Sequence, residues 1–258
     1  MTNQHAALEA AEAFQTATEQ LADSLPNGFH ERGPAGALLA VTGSMIPLLN
    51  SIMSVSDVPD AEEIGLLCEK AAPHVRQLPW TIRLRGEAGQ EITDLAARHG
   101  LSTQVRQPFM LLSLADGREQ GESGPAAVTV RRLADDEHET FAEVLGTAFG
   151  APPAIISSLY TPQVLGQPFV KAYVAEADGT PVAAGLAIVT ERHVGLANIG
   201  TLPAHRRRGA GRAVVEAILR DARAAGAHTA YLHASDEALP LFEQAGFRTE
   251  ESWVVFSA

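Results

Sequence analysis

The chain contains one cysteine, Cys68, in 258 residues, which excludes an internal disulfide and a cysteine-based zinc site. Cys68 falls on the apolar helical stripe Ile64, Leu67, Cys68, Ala71, Val75, so it reads as a buried structural thiol and not as a nucleophile. No uncharged stretch reaches the ~18–20 residues that a membrane-spanning helix needs, and no basic segment leading into an apolar run stands at the N-terminus. These absences point to a cytoplasmic protein with no membrane partner. Positive charge is also scarce: the formal net charge is −12 and the isoelectric point about 5.2. Such a field repels nucleic acid and anionic surfaces, so any anion-binding site must be local. Two familiar phosphate motifs are missing as well. There is no G-x-x-x-x-G-K-[ST], and the one Gly-x-Gly in a strand-to-helix turn lacks the third glycine and downstream acid of a dinucleotide fingerprint.

What the sequence does have is "TLPAHRRRGAGRAVVEAILRDA", residues 201–222. An apolar strand ends near Pro203, and from Arg212 the period changes to a helix face of Val214, Val215, Ile218, Leu219 and Ala222. Between them lie Arg206, Arg207, Arg208, Gly209, Ala210 and Gly211. Free backbone N–H groups at the positive end of a helix dipole hold a phosphate or pyrophosphate, glycines let the backbone approach it, and arginines add charged contacts. The stretch is a local anion cradle on an acidic molecule.

At 46% hydrophobic content and with mean hydropathy near zero, the length suits two medium cores. Residues 116–127, rich in Gly, Ser and charge, read as a linker between an N-terminal domain, 1–115, and a C-terminal domain, 128–258. After the linker come a short strand and a helix bearing Phe141, Val144, Leu145, Ala148 and Phe149, stopped by Pro152 and Pro153. Three strands follow, with Asp178-Gly179 as a hairpin turn. Then come the Arg-Gly turn and its helix, a strand at "TAYLHAS", a short helix closed by Gly246, and a last strand at "SWVVFSA". The class is α/β with a mixed sheet.

The first half carries a faded copy of this ending. A helix opens with Asp60 and Glu63 in a D-x-x-E capping pattern. "WTIRLRG" follows as a strand, "QEITDLAARHGL" as a helix stopped by Gly100, and "PFMLLSL" as a strand. Gly100 and Gly246 stand 146 residues apart, and the same offset pairs Glu91 with Glu237, Leu95 with Leu241, and Thr103 with Thr249, the mark of an internal repeat. Opposite the cradle this copy has "SVSDVPDAEE". Acids at a helix start satisfy the dipole themselves and repel a pyrophosphate.

The stretch from Thr201 to Phe247 resembles the cofactor core of the GNAT N-acetyltransferase superfamily. That family has a strand ending in proline, R/Q-x-x-G-x-G/A opening a helix, then strand, helix and a closing Gly-Phe. Arg206, Gly209 and Gly211 match its motif, and Pro203, Leu241, Gly246 and Phe247 match its flanks. The resemblance covers roughly residues 128–256. It implies the acyl-CoA N-acyltransferase (GNAT) fold, tandem with a degenerate first copy that packs against the second and helps wall an acceptor site. It also implies acetyl-CoA as co-substrate, with pyrophosphate on the amides of residues 207–212, pantetheine along Ile199, Gly200 and Thr201, and no metal. The reaction implied is transfer of an acetyl group to the primary amine of a small molecule by direct attack in a ternary complex.

For the base, the resemblance points to the strand before the cradle. There His193 shares alternation with Gly195, Ala197 and Ile199, and His233 ends the next strand. The family's thiolate proton donor is commonly a tyrosine where this chain has Phe242, so the donor falls to Tyr160, another group or solvent, and Phe242→Tyr would restore it. Ser235 stands where the family often has an asparagine against the pantetheine arm. An acyl-CoA-binding or sensor protein without turnover is the alternative. Nucleic-acid binding through Arg206 to Arg208 is disfavoured by the net field and the lack of interleaved aromatics. The assembly is either a homodimer or a monomer with pseudo-dimeric halves.

Overall fold

The computed structural model describes residues 3–115 and 128–258; the linker reading at 116–127 lies outside the described residues. The elements in order are α1 (Asn3–Asp23), β1 (Phe29–Arg32), β2 (Leu38–Val41), β3 (Asn50–Ser54), α2 (Ala61–Ala71), β4 (Thr81–Leu84), α3 (Gln90–Arg98) and β5 (Thr103–Ser113). The second series is β6 (Thr129–Arg132), α4 (His138–Phe149), α5 (Pro153–Leu159), α6 (Pro162–Leu165), β7 (Val170–Ala177), β8 (Thr180–Thr190) and β9 (His193–Thr201). It ends with α7 (Ala210–Ala224), β10 (Thr229–His233), α8 (Leu239–Gln244) and β11 (Arg248–Ser257). The chain forms two compact units, one of residues Met1–Phe109 with Thr249–Ala258 and the other of Met110–Arg248.

In the first unit β1, β2 and β3 run antiparallel, β3 and β4 parallel, and β4 and β11 antiparallel. β2, "LLAV", is buried at every residue, as a strand covered on both faces must be. Leu38 and Ala40 meet Ala22 and Met53 on one face, while Leu39 and Val41 join Ile52, Ile64, Leu67 and Cys68 on the other. Asp60 caps α2 as its sequence predicts: its Oδ1 accepts from the Glu63 N–H at 3.0 Å. The Glu63 carboxylate is then spent on the Ala35 and Ala37 N–H groups, at 2.6 and 3.2 Å. Asp60 and Glu63 are therefore both committed to local donors. Cys68 is buried, and burial pushes its thiol up to about 12.

In the second unit β6, β7, β8 and β9 run antiparallel and β9 and β10 parallel. The Asp178-Gly179 turn has φ of 49° and 76°, the left-handed pair that a tight hairpin requires. The core gathers Val214, Val215, Ile218 and Leu219 of α7 against Val194 and Leu196 of β9 and Ala230 and Leu232 of β10. The order β9-α7-β10-α8-β11 repeats β3-α2-β4-α3-β5, each with a parallel strand pair around its first helix. Gly100 and Gly246, both left-handed, close α3 and α8, so the recurrence extends well beyond a shared helix stop.

Several expectations need correction. The C-terminal domain does not keep its last strand: β11 pairs Val254 with Leu84 and Phe256 with Ile82. The Arg85 guanidinium grips both Glu251 oxygens at 2.6–2.9 Å. The divisions fall at 109/110 and 248/249 because strand pairing, not adjacency in sequence, assigns a strand to a core. α4 ends at a left-handed Gly150, φ 67°, and Pro153 opens a helix, α5, in the first-turn position that tolerates proline. α7 begins at Ala210, two residues before the periodicity suggests: Ala210 is already buried in the core, but Gly211 and Arg212 after it carry no apolar side chain to mark the period.

Candidate active site

Strand β9 holds the first part of the site. Leu186 of β8 pairs with Ala197, but Ala184 pairs with Gly200, so Gly185 alone faces Asn198 and Ile199. This is a β-bulge, and it reverses the alternation of side chains. Before it, Val194 and Leu196 point into the α7 side of the core; after it, Ile199 does. His193 therefore does not share a face with Ile199, contrary to simple alternation. Asn198 sits at the bulge with φ 55°, and its Nδ2–H donates to the Tyr160 hydroxyl.

Beyond the bulge each position is fixed by what it faces. A Cβ on Gly200 would lie 2.9 Å from Leu145 Cδ2 and 3.0 Å from Ala148 Cβ, both on α4. A Cβ on Gly211 would lie 2.9 Å from Thr201 Oγ1. Neighbouring strand residues point to opposite faces, so α4 packs on one side of the end of β9 and the start of α7 on the other. The ladder between β9 and β10 runs from His193↔Thr229 to Gly195↔Tyr231 and stops there. The edge of β9 from Leu196 to Thr201 is thus open toward β10, ready to accept an extended chain as an added strand.

The cradle completes the site. Arg207 and Gly209 are both left-handed, φ 62° and 86°, and no side chain caps α7 at Gly209. The first N–H groups of the helix consequently lack intrahelical acceptors. A cavity of about 840 Å³ opens over these groups. Ile199, Gly200, Thr201, Arg206 and Arg207 line it, as do Gly209, Ala210, Gly211, Arg212 and Ser235. Uncapped helical N–H groups, glycine where backbone must come close and a bare strand edge suit a phosphate-bearing extended ligand.

The arginines are less free than their sequence suggests. Arg206 donates from Nη2 to the Ala148 carbonyl at 2.7 Å and from Nε to the Thr201 carbonyl at 3.3 Å, so it braces the end of α4 and β9 to the cradle. Arg212 Nε is 2.8 Å from Glu216 Oε1. Arg208 is not on the cavity wall.

Other expected site residues fall elsewhere. His193 opens β9, and at ~3.3 Å per residue it stands ~20 Å along the strand from Gly200. His233 ends β10 two residues before Ser235 without lining the cavity. Tyr160 is 2% exposed, edge-on to Phe141, and burial pushes its hydroxyl up to about 12 against the opposing effect of the Asn198 hydrogen bond. Phe242 lies in the core beside Phe247, ring centroids 5.8 Å apart, and does not reach the cavity. Its ring edge therefore does not line the cavity. Residues that sequence reasoning missed include Ala148 and Phe149 at the end of α4, His205, Glu237 and Gln244. Phe149 reads as a core position by spacing, yet it is 51% exposed at the mouth of the cavity.

Comparison with known proteins agrees with this geometry. A family model described as Acetyltransferase (GNAT) family matches residues 133–247. No curated protein sequence matches the chain. Among solved structures, a GCN5-related N-acetyltransferase from Kribbella flavida is 21% identical, with 96% of this chain and 95% of that one covered and a TM-score of 0.67. A functionally unknown conserved protein from Staphylococcus epidermidis is 12% identical over 89% and 93%, TM-score 0.63. A GCN5-related N-acetyltransferase from Sphaerobacter thermophilus is 16% identical over 87% and 80%, TM-score 0.57. At these identities the structural likeness speaks for the fold, and it extends over nearly the whole chain. With the family model on the segment that holds cradle, bulge and cavity, residues 133–247 are a domain of the acetyltransferase (GNAT) family.

Proposed function

We propose that the protein is an N-acetyltransferase that moves an acetyl group from acetyl-CoA to the primary amine of a small molecule, by direct attack in a ternary complex. The observation that carries this reading is the meeting, on one cavity wall, of the uncapped start of α7 with the open edge of β9. In this reading the amides from Arg207 to Arg212 hold the pyrophosphate, with the Arg207 side chain beside them. The backbone of Ile199 to Thr201 pairs with the pantetheine arm, and Ser235 offers it a hydroxyl. Acetyl-CoA supplies an activated thioester and a thiolate leaving group. A backbone N–H at Ile199 or Gly200 polarises the carbonyl, a role that needs no side chain. Of the titratable groups, His205 and Glu237 stand on the wall and His193 and His233 do not.

One observation favours a second reading, acyl-CoA binding without turnover: Phe242 has no ionisable proton to donate and is buried away from the cavity. One measurement tests both readings and a second separates them. Millimolar acetyl-CoA raises the melting midpoint in both, because the ligand binds only the folded state. Thiol release from acetyl-CoA in the presence of polyamines, amino sugars or lysine occurs only in the first. An unmoved midpoint for the folded protein sinks both.

A further inference from the structure

Asn198 differs from the other left-handed non-glycine residues in standing inside a strand. Asp178 and Glu191 occupy hairpin turns and Arg207 the cradle. Asparagine tolerates this conformation better than most residues, but it is still an uncommon one for strand backbone. Its amide is anchored on a group with little freedom to move. Tyr160 is 2% exposed, its ring meets the fully buried Phe141 at 5.4 Å and 89°, and its own N–H bonds the Ile156 carbonyl at 2.9 Å.

The bulge that Asn198 occupies decides what the cavity wall presents. With it, Gly200 turns toward α4, where a Cβ has no room, and Thr201 turns toward Gly211. A strand slipped back into regular pairing would turn Ile199 or Thr201 toward Leu145 and Ala148 instead. We propose that Tyr160 and Asn198 form a latch that holds the last residues of β9 in the bulged register, making Tyr160 a positioning residue acting through Asn198 and not a proton donor. The register so fixed is that of the edge along which an acyl-CoA would lie, and in this respect the proposal rests on the reading above.

The test uses the full-length protein, with Tyr160→Phe, Asn198→Gly and the double variant. Tyr160→Phe keeps the ring against Phe141 and removes only the oxygen. Asn198→Gly keeps left-handed backbone without steric cost. Two readouts are taken: hydrogen exchange of amides 196–201 in the free protein, and the dissociation constant for acetyl-CoA. The latch predicts that Tyr160→Phe speeds exchange in that segment and weakens acetyl-CoA about tenfold, the scale of one lost hydrogen bond. The double variant should bind acetyl-CoA more tightly than Tyr160→Phe alone, because glycine no longer needs the anchor. A Tyr160→Phe variant with unchanged exchange and affinity but a lower turnover number would make Tyr160 a proton donor and overturn the latch. So would additive effects in the double variant. If the wild type binds no acetyl-CoA, the enzymatic reading falls, while the exchange comparison still decides the latch.

Discussion

Arg206 offers the sharpest separation between a structural and a ligand-binding cation. Its guanidinium donates to two backbone carbonyls, at 2.7 Å to Ala148 and 3.3 Å to Thr201. Hydrogen bonds from a charged donor contribute ~1.5–3 kcal/mol each when well made. The second contact is long and the residue is solvent-exposed, which calls for the low end, roughly 1.5–2 kcal/mol for the pair. The cation also lies against a carbonyl in the last turn of α4, where the helix dipole favours it. Arg206→Ala should therefore lower the melting midpoint of the ligand-free protein by ~3–8 °C, at ~2–4 °C per kcal/mol for chains of this size. Arg206→Lys, with one donor group in place of a fork, should fall between. The assay is thermal unfolding without ligand, repeated with saturating acetyl-CoA across a salt series. An unchanged ligand-free midpoint, together with a shallower salt dependence of acetyl-CoA affinity, would show Arg206 spending its charge on phosphate and refute the brace.

Gly209→Asp places a carboxylate at a left-handed position with open space around it. It should cost about 1 kcal/mol in stability, since aspartate tolerates this conformation moderately, and should abolish the stabilisation by acetyl-CoA, both read from melting curves. Phe242→Tyr buries a hydroxyl in the core beside Phe247. A loss of stability of ~1–3 kcal/mol, the cost of an unpaired buried polar group, seen as a lower midpoint, and no gain in thiol-release rate are expected; a faster rate would place the ring edge at the ligand after all. Burial raises the Cys68 thiol to about 12, so its thiolate fraction at pH 8 is on the order of 10⁻⁴. Native protein should leave Ellman's reagent untouched over minutes and react fully once denatured, which also keeps the background of a thiol-release assay low.

The uncapped turn that opens α7 was legible because its signals are local: glycines and a change of period within ten residues. So were the Asp60 cap and the Asp178-Gly179 hairpin, each written in three or four adjacent positions. The bulge at Asn198 was not legible, because a bulge is a count of residues against a partner strand, and nothing in "HVGLANIGTL" states that count. The shared face of His193 and Ile199 failed with it, while Gly195 and Ala197, which precede the bulge, keep the parity of His193. The direction of the Arg206 side chain was hidden for a similar reason, since its acceptors are backbone carbonyls that any sequence provides. The first fifty residues gave little because α1 buries mainly alanines, among them Ala7, Ala10, Ala11 and Ala17, and the strands after it are only four or five residues long.

The placement of β11 bears on how the protein is made. Residues 249–258 complete the sheet that starts with β1, and Trp253 fills the space beside Phe14 and Phe109. A ribosome therefore has to deliver ten residues from the far end of the chain before the first unit can close. Until then the edge of β4 that awaits Val254 to Phe256 is exposed, and an unpaired apolar strand edge invites association with other chains. Residues 110–248 have no such wait, since their core is drawn from contiguous sequence. Synthesis from the N-terminus would thus produce folding in the opposite order, the later unit settling first and the earlier one held open until the last strand arrives.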